Sequence, residues 1–187
     1  MRYLTLILAT FFLAAATALG VSALDSPVAE AAGGGSVKKC GGGKIFLNAE
    51  EKQTFALHNK IRRNHKLRTF CVHPKLEKAA RAHSKDMIRR DYFSHNTKGR
   101  GSFAKRLKRF GYTPKGYKYY TAGENIAYGS GSKGSPNSIM EAWMKSPGHR
   151  RNILNGKFRE IGIGTYTGTY KSYKDVTMYT ADFGTRR

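Results

Sequence analysis

The sequence predicts an α+β domain. Three stretches with helical periodicity come first, and the runs rich in β-branched and aromatic residues come last. No internal repeat is visible, so helices and strands are segregated rather than alternating as βαβ units. A chain of 187 residues is long enough for one domain with a real core.

Asn48-Ala49-Glu50-Glu51 has the form of a capping box, a polar cap with Glu three residues on. It predicts a helix from about Ala49 to Asn64. Phe55, Ala56, Leu57, His58 and Ile61 supply its inward stripe, and Lys60, Arg62, Arg63 and Lys66 a basic outer face. Pro74 suits the first turn of a second helix, running to about Arg90. There Leu76, Ala79, Ala80, His83 and Met87 recur at spacings of three and four. Ser102 to Phe110 reads as a short basic helix stopped by Gly111, and Ser138 to Lys145 as another carrying Trp143. Strands are expected over Ala122 to Tyr128, Glu160 to Thr167 and Val176 to Phe183.

The chain begins with a leader. Arg2 precedes a nearly all-apolar run from Leu4 to Leu19, followed by small residues at Val21-Ser22-Ala23 and Ala29-Glu30-Ala31. Residues 1–31 therefore read as a signal peptide, with cleavage after Ala23 or Ala31. The run is short for a membrane span, and no other stretch is apolar enough, so the mature chain is expected to lack one. Residues 32–47 read as a flexible Gly-rich linker holding Cys40, and residues 48–187 as the folded domain. In an exported chain the only two cysteines, Cys40 and Cys71, read as a disulfide; two unlinked thiols are the alternative.

The formal net charge is +22, from 34 Lys and Arg against 12 Asp and Glu. Such a charge favours anionic surroundings: cell-envelope polymers, lipid headgroups or extracellular nucleic acid. A solvated basic surface with no specific partner accounts for it equally well. Tyrosines interleave the lysines around Tyr117-Lys118-Tyr119-Tyr120 and Tyr170-Lys171-Ser172-Tyr173, a pattern compatible with base stacking.

Three separated segments look built to meet. Tyr92-Phe93-Ser94-His95 and Gly123-Glu124-Asn125 supply an imidazole and a carboxylate. Ser146-Pro147-Gly148-His149 sets a second imidazole in a tight turn. Other matches fail on context. Gly129-x-Gly131-x-x-Gly134 has no βαβ unit around it, and Asp182-Phe183-Gly184 has no phosphate or catalytic loop before it. No Gly-x-Ser-x-Gly or HExxH is present, so nucleophilic hydrolysis lacks an obvious nucleophile. His58 and His83 read as interior residues, His65 and His73 as surface or loop residues.

Taken in order, these segments resemble the CAP superfamily, or SCP-like extracellular domains, and most of all its single-domain bacterial secreted members. The resemblance runs over about residues 48–184. It rests on Leu57-His58-Asn59-Lys60-Ile61-Arg62, the three segments above, Trp143 to Leu154, Glu160-Ile161-Gly162-Ile163-Gly164 and Asp182-Phe183-Gly184. It implies a three-layer α-β-α sandwich around a small, mainly antiparallel sheet, and an open cleft holding two histidines and two acids. His95 and His149 match the histidines and Glu124 the first acid. The second acid of better-known members falls on Ser146 here, so the four-residue pattern is incomplete.

Two neutral imidazoles can bind zinc weakly, with Glu124 orienting a ring. Acid–base catalysis by His95, Glu124 and His149, or a purely packing role, remain open alternatives. The function expected is a secreted, extracellular or cell-wall-associated binding module. Its cleft would take a metal or small ligand, and its basic surface would meet anionic partners. A secreted hydrolase of protease or nuclease type, and an electrostatic nucleic-acid binder, are the alternatives. A monomer is expected.

Overall fold

A computed structural model describes residues 33–187. The expected signal peptide lies outside the described residues. In chain order the elements are β1 (Gly35–Lys38), β2 (Lys44–Leu47), α1 (Ala49–Asn64), β3 (Cys71–Val72), α2 (Pro74–Arg89) and α3 (Phe103–Arg109). These are followed by β4 (Tyr120–Ser130), a 3₁₀ turn (Gly131–Gly134), α4 (Pro136–Lys145), α5 (Pro147–Ile153), β5 (Glu160–Tyr170) and β6 (Tyr173–Arg186).

The main sheet has the order β3-β5-β6-β4. β3 runs parallel to β5 and the other pairs are antiparallel. Alternation along β5 assigns its two faces. Ile161 and Ile163 are fully buried in a core shared with Ile139, Trp143 and Ile153 of α4 and α5. Gly162 and Gly164 point the other way, where a Cβ would stand 2.1 Å from the Leu76 carbonyl carbon and 2.1 Å from the Arg81 nitrogen of α2. Only glycine allows the α2 backbone so close, and α3 packs beside it through Leu107 against Leu76 and Ala79. The α+β class and the three layers are as the sequence predicts.

The capping box forms as expected: Asn48 Oδ1 accepts from the Glu51 N–H at 2.8 Å, and Glu51 Oε2 from the Asn48 N–H at 3.0 Å. Cys40 and Cys71 are joined by a disulfide.

Three local expectations are corrected. The stretch expected as a flexible linker is ordered as the antiparallel hairpin β1–β2, with Gly35 opposite Leu47. Gly41, Gly42 and Gly43 all take positive φ, which lets the chain reverse there, and fully buried Leu47 anchors the second strand. Arg62 is not on the outer face of α1 but fully buried. Its guanidinium donates to the carbonyls of Arg68 (2.8 Å), Ile153 (2.8 Å), Asn155 (3.0 Å) and Phe158 (3.1 Å). His149 lies in the short helix α5 rather than a tight turn, because Pro147 supplies a helical first position.

Candidate functional site

β4 is an edge strand of the main sheet, so residues from both helical layers can reach over it. Glu124 lies opposite Asp182 of β6, and Asp182 lies opposite Gly162 of β5. All three therefore face the α2–α3 layer. The next residue, Asn125, faces the α4–α5 layer. Its Nδ2 donates to the His149 carbonyl at 3.0 Å. Asn152 Nδ2 donates to the Glu124 carbonyl at 3.2 Å and to Asn125 Oδ1 at 2.9 Å. This amide pair ties α5, and with it His149, to the strand that carries Glu124.

On the other side His95 follows α2 in an exposed loop, its side chain 55% accessible. His95 Nδ1 lies 2.8 Å from Glu124 Oε1. A carboxylate can only accept, so Nδ1 carries the proton and Nε2 keeps its lone pair. The second Glu124 oxygen is held by the Arg106 guanidinium, which also donates to the His95 carbonyl at 3.1 Å. Arg106 is 3.8 Å from Asp182 Oδ1. His95 and Glu124 thus meet as the sequence suggests, and His149 approaches from the opposite layer. Ser146 lies between α4 and α5, where its carbonyl accepts from the Arg150 N–H at 2.8 Å.

Arg106 and the role of Asp182 are not among the residues the sequence singles out. Both are essentially inaccessible. Phe103, Arg106, Leu107 and Phe110 have the i, i+3, i+4, i+7 spacing of an inward stripe, and that spacing was the available signal for Arg106. For Asp182 it was an acid set directly between apolar Ala181 and Phe183.

Burial is the largest influence on each titrating group here. It lowers His95, with Arg106 adding to the effect, and it lowers His149, with the His95 charge adding to it. Both rings are therefore neutral at pH 7. Burial raises Glu124, with Arg106 opposing it. Burial and then Glu124 raise Asp182 well above the carboxylate range, and neither of its oxygens has a hydrogen-bond partner among the described residues. The two carboxyls together carry fewer than two charges at neutral pH, and Arg106 balances what remains.

His58 and His83 are interior, as read from the sequence. His58 Nδ1 donates to the Thr54 carbonyl at 2.8 Å, and His83 Nε2 to the Ser94 carbonyl at 2.9 Å. His65 is exposed, but His73 is half-buried as the cap of α2, its Nδ1 accepting from the Lys75 N–H at 3.1 Å.

Residues 55–183 match the CAP family, described as the Cysteine-rich secretory protein family. The chain belongs to the CAP family. Among similar proteins, YkwD of Bacillus subtilis is 41% identical over 118 residues, covering 63% of this chain and 43% of YkwD. The membrane protein YlbC of the same organism is 37% identical over 121 residues, covering 65% of this chain and 33% of YlbC. This CAP chain therefore spans less than half the length of either relative. Among solved structures, an extracellular SCP-domain protein from Bacillus anthracis aligns at a TM-score of 0.59 and 28% identity, over 76% of this chain and 46% of that one.

Proposed function

We propose that this CAP protein is a secreted, non-enzymatic binding module. Its cleft between His95 and His149 takes a divalent cation or a small ligand, and its basic surface engages anionic partners of the cell envelope. The observation that carries the reading is the commitment of Glu124: one oxygen orients His95, the other holds Arg106. Glu124 is thereby a positioning group rather than a free base, which speaks against a hydrolase. The two cysteines are spent in the disulfide.

The residues present fit a weak zinc site. Both imidazoles are neutral, and the bond to Glu124 leaves His95 Nε2 as the free nitrogen. Among the described residues no group of three or more His, Cys, Asp or Glu side chains could hold a metal ion. His95 and His149 would thus be the protein ligands, with water completing the shell. Export is supported by the similarity to the extracellular protein of Bacillus anthracis. Among the described residues no helix is long and apolar enough to cross a membrane.

Zinc calorimetry on the oxidised protein tests the cleft. Saturable micromolar binding that disappears in His95→Ala/His149→Ala supports it. Equal binding by both proteins removes it.

A further inference from the structure

Three cavities follow one another from α5 to the β1–β2 hairpin, and neither His95 nor His149 lines any of them. The first, of about 700 Å³, has Met144, Pro147 and Leu154 as its apolar part and Lys145, Arg150, Arg151 and Lys157 around them. The second, of about 330 Å³, shares Lys157 and adds Arg68, Arg159, Arg186 and Arg187. The third, of about 600 Å³, shares Arg68 and Arg159 and ends at Lys38 and Lys39 of β1. Because neighbouring cavities share lining residues, they form one track running from α5 to the hairpin.

The charge along this track is one-sided. Among the described residues, Glu160 is the only acid lining any of the three cavities. Among the described residues, only Lys145 of the track's cations is ion-paired, to Glu141. Five of the acids elsewhere are engaged by arginines outside the track: Glu51 and Glu77 with Arg81, Asp86 with Arg90, Glu124 and Asp182 with Arg106. A row of cations without carboxylate partners binds a row of anions, with release of the counterions condensed on it.

The aromatic placement decides between kinds of polyanion. Sequence-tolerant binding of single-stranded nucleic acid uses exposed rings on which bases stack. The lining of the three cavities contains only Phe55, which is half-buried, and Phe70, which is buried. The nearby tyrosines already have arginine partners: Arg186 lies 4.7 Å from the Tyr117 ring centre and Arg187 5.0 Å from that of Tyr119.

We infer that this track binds an extended, base-free phosphodiester polymer, of the polyol-phosphate kind, along its backbone. The inference rests on the reading above that the basic surface meets anionic envelope polymers, and it names the surface and the ligand chemistry.

The test compares two triple variants that remove equal charge. Arg68→Gln/Arg151→Gln/Lys157→Gln changes three exposed track residues. Lys105→Gln/Lys108→Gln/Arg109→Gln changes three exposed residues of α3 that line none of these cavities. Each is titrated with purified poly(glycerol phosphate), and with single-stranded DNA of equal phosphate number, at several salt concentrations. Circular dichroism checks the fold. For the track variant, polymer affinity is expected to fall roughly tenfold or more, and the slope of log affinity against log salt to flatten by about 2. The α3 variant is expected to lose less than about threefold.

Equal losses in both variants overturn the track while leaving an envelope-binding surface in place. No binding of the polymer by the parent overturns both. DNA binding as tightly as the polymer overturns the base-free assignment.

Discussion

Glu124 and Asp182 face each other across β4 and β6, both withdrawn from solvent, with the Arg106 guanidinium directed at the two of them. Two like charges at neighbouring buried positions cannot both ionise cheaply, so the fold holds Asp182 above its ordinary range. The sign of the stability effect follows. A carboxyl raised in the fold binds more protons folded than unfolded, so its cost is absent at low pH and grows as pH rises past about 4. Asp182→Asn removes that cost. It is expected to raise unfolding stability at pH 8 by roughly 1–2 kcal/mol and much less at pH 5, as read by urea denaturation at each pH. A gain equal at both values would show that the ionisation of Asp182 is not the source of the cost.

Arg106 is the cation that makes the carboxyl pair tolerable. Arg106→Met leaves two buried acids uncompensated and is expected to cost on the order of 3–5 kcal/mol. The double change Arg106→Met/Asp182→Asn should recover part of the loss. A thermodynamic cycle over the four proteins measures the coupling, and additive effects would show that the two groups do not interact.

Arg62 fixes the end of α5, the helix that carries His149. Its four carbonyl partners come from Arg68 and from Ile153, Asn155 and Phe158. Arg62→Met is expected to cost on the order of 3 kcal/mol, because buried carbonyls lose charge-assisted donors. Hydrogen exchange should rise in residues 147–158 more than in β6. Uniform exchange across the domain would contradict this local role.

His58 sets an acid limit on stability. It packs against Trp143 and Phe183, with ring centres 5.7 Å from each, and burial lowers it from 6.5 to about 4. Between those values the unfolded chain holds the extra proton. The stabilisation is therefore full above about pH 6.5 and lost as pH falls toward 4, on the order of 3 kcal/mol in all. His83, lowered to about 3 by burial and then by Arg106, adds a slope of the same sign. His58→Gln should flatten the stability–pH curve between pH 6.5 and 4. A curve as steep as the parent's would move the effect elsewhere.

Most of the fold was legible because local signals agreed with the tertiary outcome. The capping box starts α1 at Ala49, Pro74 starts α2, and the Ile-Gly-Ile-Gly alternation of β5 assigns two unlike faces. His95 and Glu124 were legible because each sits in a distinctive short segment, and they meet at 2.8 Å. The misses share one cause. In a chain with 34 Lys and Arg, an arginine in a basic helix looks like part of a solvated face. Arg62 and Arg106 each occupy the inward stripe instead, and what they bind, carbonyls in one case and carboxyls in the other, comes from distant elements. Asp182 was missed because its relation to Glu124 is a matter of strand register, which no local pattern states. The hairpin resembles a linker in sequence because glycines that form a turn and glycines that loosen a chain look alike there.

His95 and His149 are proposed to form one ligand cleft, with Glu124 orienting the first ring. Nitrogen NMR of the histidine side chains during zinc titration tests it most directly. Both rings are expected to respond together, with His95 binding through Nε2 while Nδ1 keeps its proton. A response from only one of the two rings, or loss of the Nδ1 proton of His95 on binding, would contradict it.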